Sequence, residues 1–206
     1  ERNANSKIKV GINGFGRIGK CTFLQLIHNT NISIKGLNAC GIEASEIEDY
    51  LRYDTTHRHH LQFTFSILSK DMIQINHHII KLFQERDAKN IDWKEFDCVY
   101  VVEATGAYLT EEKCKAHNCD YVIMSAPPKD NTKTFIYSVN DEIYDGEKII
   151  SGSSCTTNAI SPLLKLLEDE IGIKRCIFTT IHATTGSQNT VDIMKKCRTS
   201  RSILNN

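Results

Sequence analysis

The sequence carries no excess charge of either sign: 25 basic and 25 acidic residues cancel over 206 positions. A balanced chain lacks the electrostatic footprint that nucleic acid or an anionic membrane surface would require, so a small molecule is the expected partner. It also lacks any apolar stretch near the roughly 20 residues a membrane-spanning helix needs, and Glu1 to Lys9 is polar, unlike a signal peptide. A soluble, cytoplasmic protein is the expectation. Among the eight cysteines there is no Cys-x-x-Cys and no paired zinc spacing, and the chain is long enough to bury a core without staples. Reduced thiols are therefore expected, and no metal. Repeats, low-complexity tracts and an obvious interdomain linker are absent as well, which leaves one large domain, or one domain and part of another.

What is present begins with Ile8 to Asn13, a β-prone run that leads into Gly14-Phe15-Gly16-Arg17-Ile18-Gly19 and then into the helix-compatible Lys20 to His28. Strand, glycine turn and helix in this order suit a dinucleotide pyrophosphate, because the glycines permit close approach and the helix start offers free N–H groups. A plain glycine turn is the competing reading. A second β-prone run, Ile32 to Leu37, ends at Asn38-Ala39-Cys40-Gly41, where a dinucleotide fold normally places a carboxylate for the adenosine ribose. The carboxylate is missing. Glu43 is the nearest acid, at the start of a helix expected over Glu43 to Tyr53, and no Arg or Lys stands at the turn to take a ribose phosphate.

Leu61, Phe63, Phe65 and Ile67 alternate with polar residues, the period of a half-buried strand. Met72 to Ile75 and Ile79 to Phe83 read as a hairpin closed at Asn76-His77-His78. The pairs His59-His60 and His77-His78 have no carboxylate or cysteine at ligand spacing, and solvated turn residues are expected there. Asp97 to Glu103 is almost continuously apolar, as befits a parallel strand buried on both faces, and runs into Ala104-Thr105-Gly106. Tyr121 to Met124 likewise runs into Ser125-Ala126-Pro127, and ligands of open α/β sheets gather at such carboxyl ends. A capped helix is expected over Thr110 to Ala116, and further strands at Phe135 to Val139 and Lys148 to Ile150.

The last of these strands precedes Ser151-Gly152-Ser153-Ser154-Cys155-Thr156-Thr157-Asn158, and an amphipathic helix follows, with Pro162 expected in its first turn. Cys155 would then sit at a helix N-terminus, with Thr156 and Thr157 as capping hydroxyls, where the dipole favours a thiolate. An activated nucleophile and a structural cysteine beside a cap are both consistent with this pattern. Cys176 to Ile181 is another β-prone run, ending at His182, 27 residues beyond Cys155. One helix and a returning strand fit in that interval, so the imidazole could serve the thiol as a base; a satisfied histidine at a strand end is the alternative.

Seven motifs recur in the order seen in phosphorylating glyceraldehyde-3-phosphate dehydrogenases. They are Ile12 to Gly19, Tyr53 to His57, Phe83 to Asp87, Thr105-Gly106, Ser125 to Pro127, Ser154 to Asn158 and Thr179 to Ala183. The chain resembles that family over essentially its whole length. The resemblance implies an α/β fold: a Rossmann-like, mostly parallel NAD-binding domain over 1–153 and the start of an α+β catalytic domain over 154–206, in a homotetramer. By the same likeness Cys155 is the nucleophile and His182 its base, acting on a phosphorylated aldehyde and inorganic phosphate. Ser154, Thr156 and Thr185 would contact phosphate. Asn13, Gly14, Phe15, Gly16, Arg17, Ile18, Arg86, Thr105, Gly106 and Ser125 would surround NAD. An erythrose-4-phosphate dehydrogenase, or a non-catalytic scaffold derived from a dehydrogenase, are the alternative readings.

Three departures stand out. Ala39 replaces the family's ribose-binding aspartate, which leaves NAD against NADP preference open. Gly152-Ser153 replaces the usual Asn-Ala before the Ser-Cys pair. The family's remaining catalytic sheet and final helix have no counterpart before Asn206, so the chain reads as a fragment, a nicked chain or half of a split protein.

Overall fold

A computed structural model describes residues 7–57, 62–194 and 200–204 of the chain. Two compact units divide it, 1–166 and 167–206. The first is built on a single eight-stranded sheet. The elements of the chain are β1 (Ile8–Asn13), α1 (Arg17–Leu26), β2 (Ile32–Asn38), α2 (Ala44–Arg52), β3 (Phe65–Ser69), β4 (Met72–Ile75), β5 (His78–Phe83), β6 (Tyr100–Glu103), α3 (Glu111–Cys114), β7 (Tyr121–Met124), β8 (Ile149–Ser151) and α4 (Cys155–Ile171). The strand order is β3-β4-β5-β2-β1-β6-β7-β8. From β5 to β8 neighbouring strands run parallel, whereas β3, β4 and β5 form an antiparallel meander at one edge.

The chain leaves β1 towards β2 on one side and returns to its other side as β6. That reversal at β1 is the topological switch point, where open α/β sheets form their ligand crevice. Ile12, Ile34, Leu37, Ile73, Ile75 and Ile80 on the sheet pack with Phe23, Leu24, Ile47 and Leu51 of α1 and α2 to make the main core. Burial of each such side chain contributes about 1.5–3 kcal/mol before entropy is counted. A second cluster centres on Trp93, whose indole lies so close to the sheet that a Cβ on Gly11 or Gly36 would approach its ring to 2.5 or 2.8 Å. Only glycine fits beneath it.

Several expectations change on folding. His78 is not a solvated turn residue: it is the first residue of β5 and fully buried. Its Nδ1 accepts from the Ile34 N–H at 3.0 Å, so Nε2 carries the proton and donates to the Ile27 carbonyl at 3.0 Å. Burial pushes its pKa down to about 4 from an ordinary 6.5, against the opposing effect of the Ile27 hydrogen bond. His77 beside it is exposed, as expected, and His59 and His60 lie outside the described residues.

Phe135 to Val139 forms no strand. Thr134 bridges Ser151, after which the Asn140 side chain accepts from the Ile136 N–H at 2.7 Å and donates to the Thr134 carbonyl at 3.0 Å, folding the segment into a turn. The side-chain amide takes the partners a neighbouring strand would have supplied. The alternating run forms strand only from Phe65, and Leu61 lies outside the described residues. Cys176 to Ile181, in the second unit, is irregular and exposed, with Ile177 and Ile181 at 89% and 99% exposure. A β-prone run needs a ladder partner to become a strand, and within the described residues it has none.

Candidate active site

The glycine turn works as its spacing predicts, for reasons that differ by position. Gly14 has φ +97°, a left-handed conformation that disfavours a side chain. A Cβ on Gly19 would lie 1.9 Å from the Gly14 carbonyl oxygen, so α1 can pack against the turn only without one. At Gly16 a Cβ would meet nothing within 4 Å, and no side chain caps the start of α1. The first N–H groups of a ten-residue helix are thus open to an anion.

Asn13, Gly14, Phe15, Gly16, Arg86 and Thr105 line a cleft of about 500 Å³ at the carboxyl ends of β1, β2, β5 and β6. The other four expected cofactor residues sit as follows. Arg17, at the first position of α1, directs its guanidinium to Asp54 at 2.7 Å and to Thr56 at 3.1 Å. Ile18 is half-exposed, and Gly106 adopts φ +73° in the turn after β6. Ser125 follows β7 and donates its hydroxyl to the Glu103 carbonyl at 2.9 Å.

Asn38, Ala39, Cys40, Ile42, Glu85 and Tyr108 also line the cleft, beyond the ten residues that the family motifs assign to the cofactor. Asn38 turns inward. Its Nδ2 donates to the Glu85 carbonyl and to Asn13 Oδ1, both at 2.7 Å, while its Oδ1 accepts from the Glu85 N–H at 3.0 Å. Glu43 accepts no part of this: its N–H donates to the Glu46 carboxylate at 2.8 Å in a capping box that opens α2. The Gln84 amide clamps the adjoining loop, accepting from the Gly41 N–H at 2.8 Å and donating to the Ile42 carbonyl at 2.6 Å.

Cys155 is the first residue of α4 and is exposed. The cap is Ser154, not Thr156 or Thr157: its Oγ accepts from the Thr157 N–H at 3.1 Å and lies 2.8 Å from the Thr157 hydroxyl. Asn158 ties the turn from below, donating to the carbonyls of Gly152 at 2.6 Å and Ser154 at 2.8 Å. Ser153 takes φ +64°, and the sharp reversal from β8 to α4 rests on that left-handed residue. Pro162 lies well inside α4 rather than in its first turn. No residue of α4 is buried, and Leu163, Leu166 and Ile171 are 53%, 57% and 78% exposed. A thiol at such a helix start lies at the positive end of the helix dipole, which favours negative charge on it and on an oxyanion bonded to its adduct.

Asp54 in the Tyr53 to His57 motif is buried. It receives Arg17 at 2.7 Å, Lys20 at 3.1 Å and the N–H groups of Thr56 and His57 at 2.9 and 3.1 Å. Burial alone would raise its pKa, but the His57 N–H, the Lys20 ammonium and the Thr56 N–H together hold it well below the usual carboxylate range. In the second unit, His182 is exposed and its Nδ1 lies 2.6 Å from the Ala183 carbonyl. Thr185 opens a turn there, its N–H donating to Gln188 Oε1 at 2.7 Å and its carbonyl accepting from the Gln188 N–H at 3.0 Å. Among the described residues no group of three or more His, Cys, Asp or Glu side chains forms a metal site, and no helix is long and apolar enough to cross a membrane.

These features have close relatives. Residues 8–111 match the family model for the NAD binding domain of glyceraldehyde 3-phosphate dehydrogenase, and residues 154–206 match the one for its C-terminal domain. The glyceraldehyde-3-phosphate dehydrogenase of Bacteroides fragilis is 42% identical over 97% of this chain and 61% of its own length. That of Sclerotinia sclerotiorum is 43% identical over 89% of this chain and 55% of its own, and a cytosolic one from Leishmania mexicana 40% identical over 90% and 56%. The chain spans 55–61% of the length of these curated relatives. It belongs to the glyceraldehyde 3-phosphate dehydrogenase family and carries that family's NAD-binding domain.

Proposed function

We propose that this chain contributes the cofactor site and the nucleophile of an enzyme that oxidises and phosphorylates glyceraldehyde 3-phosphate through a cysteine thioester. The observation that carries the reading is the placement of Cys155. It opens α4 four residues beyond the carboxyl end of β8, in the same parallel sheet whose carboxyl ends form the cofactor cleft. The relatives bear the name of this activity, and the open α1 N-terminus beside Gly16 suits a dinucleotide pyrophosphate.

In the proposed chemistry the Cys155 thiolate adds to the aldehyde carbon and gives a hemithioacetal. His182 first takes the thiol proton, returns it to the hemithioacetal oxygen as the thiolate adds, and then takes that hydroxyl proton back as the carbon loses hydride. NAD, when bound, supplies the hydride acceptor. Inorganic phosphate attacks the resulting thioester carbon and the Cys155 thiolate leaves, which restores the starting thiol and releases the acyl phosphate. Ser154, Thr156 and Thr185 are assigned to the phosphate groups, and Asn13, Gly14, Phe15, Gly16, Arg17, Ile18, Arg86, Thr105, Gly106 and Ser125 to the cofactor. A division into 1–153 and 154–206 fits the start of the C-terminal family match at residue 154. A cytoplasmic homotetramer completes the reading. With Ala39 at the end of β2, NADP remains a candidate beside NAD.

The test is acylation without turnover. The chain is incubated with glyceraldehyde 3-phosphate and NAD but no inorganic phosphate, and its intact mass and the NADH formed are measured. One acyl group on Cys155 with one NADH is expected, and Cys155→Ser should show neither. His182→Ala should slow acylation by about 10² to 10⁴. An unmodified chain that nevertheless binds NAD would instead favour a non-catalytic scaffold, the reading that the bare apolar face of α4 keeps in play.

A further inference from the structure

Beneath the cleft lies a polar network whose direction can be worked out atom by atom. Its centre is Glu103, the last residue of β6, only 2% exposed. Glu103 Oε2 accepts from Asn13 Nδ2 at 2.6 Å and lies 3.0 Å from His117 Nε2. Oε1 accepts from the Thr105 N–H at 2.7 Å and from the Thr105 hydroxyl. Asn13 ends β1 and Thr105 follows β6, so one carboxylate joins the two strand ends that flank the switch point.

Both arms of the network fix which atoms donate. On one side the Glu85 backbone sets the Asn38 amide, because its N–H must meet Oδ1 and its carbonyl must meet Nδ2. Asn38 Nδ2 then donates to Asn13 Oδ1, and Asn13 is left with Nδ2 towards Glu103. On the other side the Trp93 indole can only donate, and it meets His117 Nδ1 at 3.3 Å. Nε2 of His117 therefore carries the proton and donates to Glu103. Donors from Asn13, His117 and Thr105 converge on the carboxyl, and its two oxygens accept them all.

We infer that Glu103 is the positioning residue of the cofactor cleft, holding Asn13 and Thr105 in register across the β1–β6 switch point, with His117 and Trp93 as its rear support. The inference rests on the reading of this cleft as the NAD site. Asn13 and Thr105 line the cleft, whereas Glu103 and His117 do not. Their effect on a bound dinucleotide is thus exerted through the two lining residues. A Gln at 103 would present an NH₂ to at least one of the converging donors. Neither the Asn13 amide nor the His117 imidazole can flip to relieve the conflict, since the Glu85 backbone, through Asn38, and the Trp93 indole pin them.

The test compares wild type, Glu103→Gln, His117→Phe and His117→Gln by calorimetric titration with NAD, alongside thermal unfolding and the emission of Trp93, the only tryptophan of the chain. Glu103→Gln and His117→Phe should weaken NAD binding by about 10-fold or more, the scale of one lost hydrogen bond to a charged group. His117→Gln restores one acceptor for Trp93 and one donor for Glu103, and should recover most of the affinity. A purely structural role would not produce that rescue at matched unfolding temperatures. Wild-type NAD affinity in folded Glu103→Gln, or in folded His117→Phe, overturns the inference. Should Glu103→Gln fail to fold, the His117 pair decides alone, with equal affinities in the Phe and Gln variants counting against it. If the wild-type chain binds no NAD, the cleft reading itself falls, an outcome distinct from loss in the variants only.

Discussion

His78 should make this fold progressively less stable between pH 6.5 and 4. In the native state the imidazole is neutral and buried, with both ring nitrogens committed to the backbone of Ile27 and Ile34, and burial lowers its pKa to about 4. In the unfolded chain it titrates near 6.5. Between those values the unfolded state binds more protons, so stability rises with pH, is fully present above about 6.5 and declines below it. The difference corresponds to about 3 kcal/mol at its limit and to about 2 kcal/mol by pH 5. For a domain stabilised by about 5–15 kcal/mol that is a large fraction.

Urea unfolding of wild type and His78→Gln at pH 7.5, 6.0 and 5.0 measures it. Gln keeps one acceptor and one donor but does not titrate, so the variant can be weaker at every pH while losing the slope. Protonation of the wild type would set an N–H on Nδ1 against the Ile34 N–H, two donors in a dry site, which is the physical origin of the loss. Asp54 does not confuse the comparison. Its carboxyl is held below the usual range, so its contribution is present above 3.8 and declines only as pH falls further. Equal pH slopes in wild type and His78→Gln would refute the argument.

The remaining predictions concern other elements. Gly19→Ala should destabilise by about 3 kcal/mol or more, because the new methyl meets the Gly14 backbone at 1.9 Å; stability within 1 kcal/mol of wild type would show that α1 can shift freely. Gly16→Ala should leave urea stability nearly unchanged and weaken NAD binding, and an unaltered affinity would remove the pyrophosphate from that position. Asp54→Asn leaves the buried Lys20 ammonium without its counter-charge, and about 3–5 kcal/mol should be lost in chemical unfolding; a loss below 1 kcal/mol would mean that Lys20 finds water. At Ser153, with φ +64°, a β-branched side chain is strained, so Ser153→Val should cost about 2 kcal/mol or more while Ser153→Gly should cost nothing; similar stabilities for the two would contradict the left-handed turn before Cys155.

Local pattern and long-range contact divide this molecule cleanly. The glycine spacing, the apolar runs of the parallel strands and the small residues after β6 and β7 were readable because strand, turn and helix preferences act over a few neighbouring residues. The placement of Cys155 at a helix start was readable for the same reason, and the family motifs tied these pieces into one order. Where neighbours compete, the reading slipped. Ser154 takes the cap that Thr156 and Thr157 were expected to fill, Pro162 lies deeper in α4, and Asn140 folds Phe135 to Val139 into a turn.

The amino-acid sequence by itself determined the α/β class, the glycine turn, the nucleophile segment and the missing acid at Ala39. Only the tertiary structure decided that His78 is dry and neutral, that Gly11 and Gly36 are empty so that Trp93 can lie against the sheet, and that Glu103 joins Asn13, Thr105 and His117. Asn13 and Glu103 are separated by 90 residues, and His78 and Ile27 by 51. No local preference spans such intervals. The parallel sheet sets the carboxyl ends of β1 and β6 side by side, the amino end of β5 meets the end of α1, and at each place a buried donor must find an acceptor.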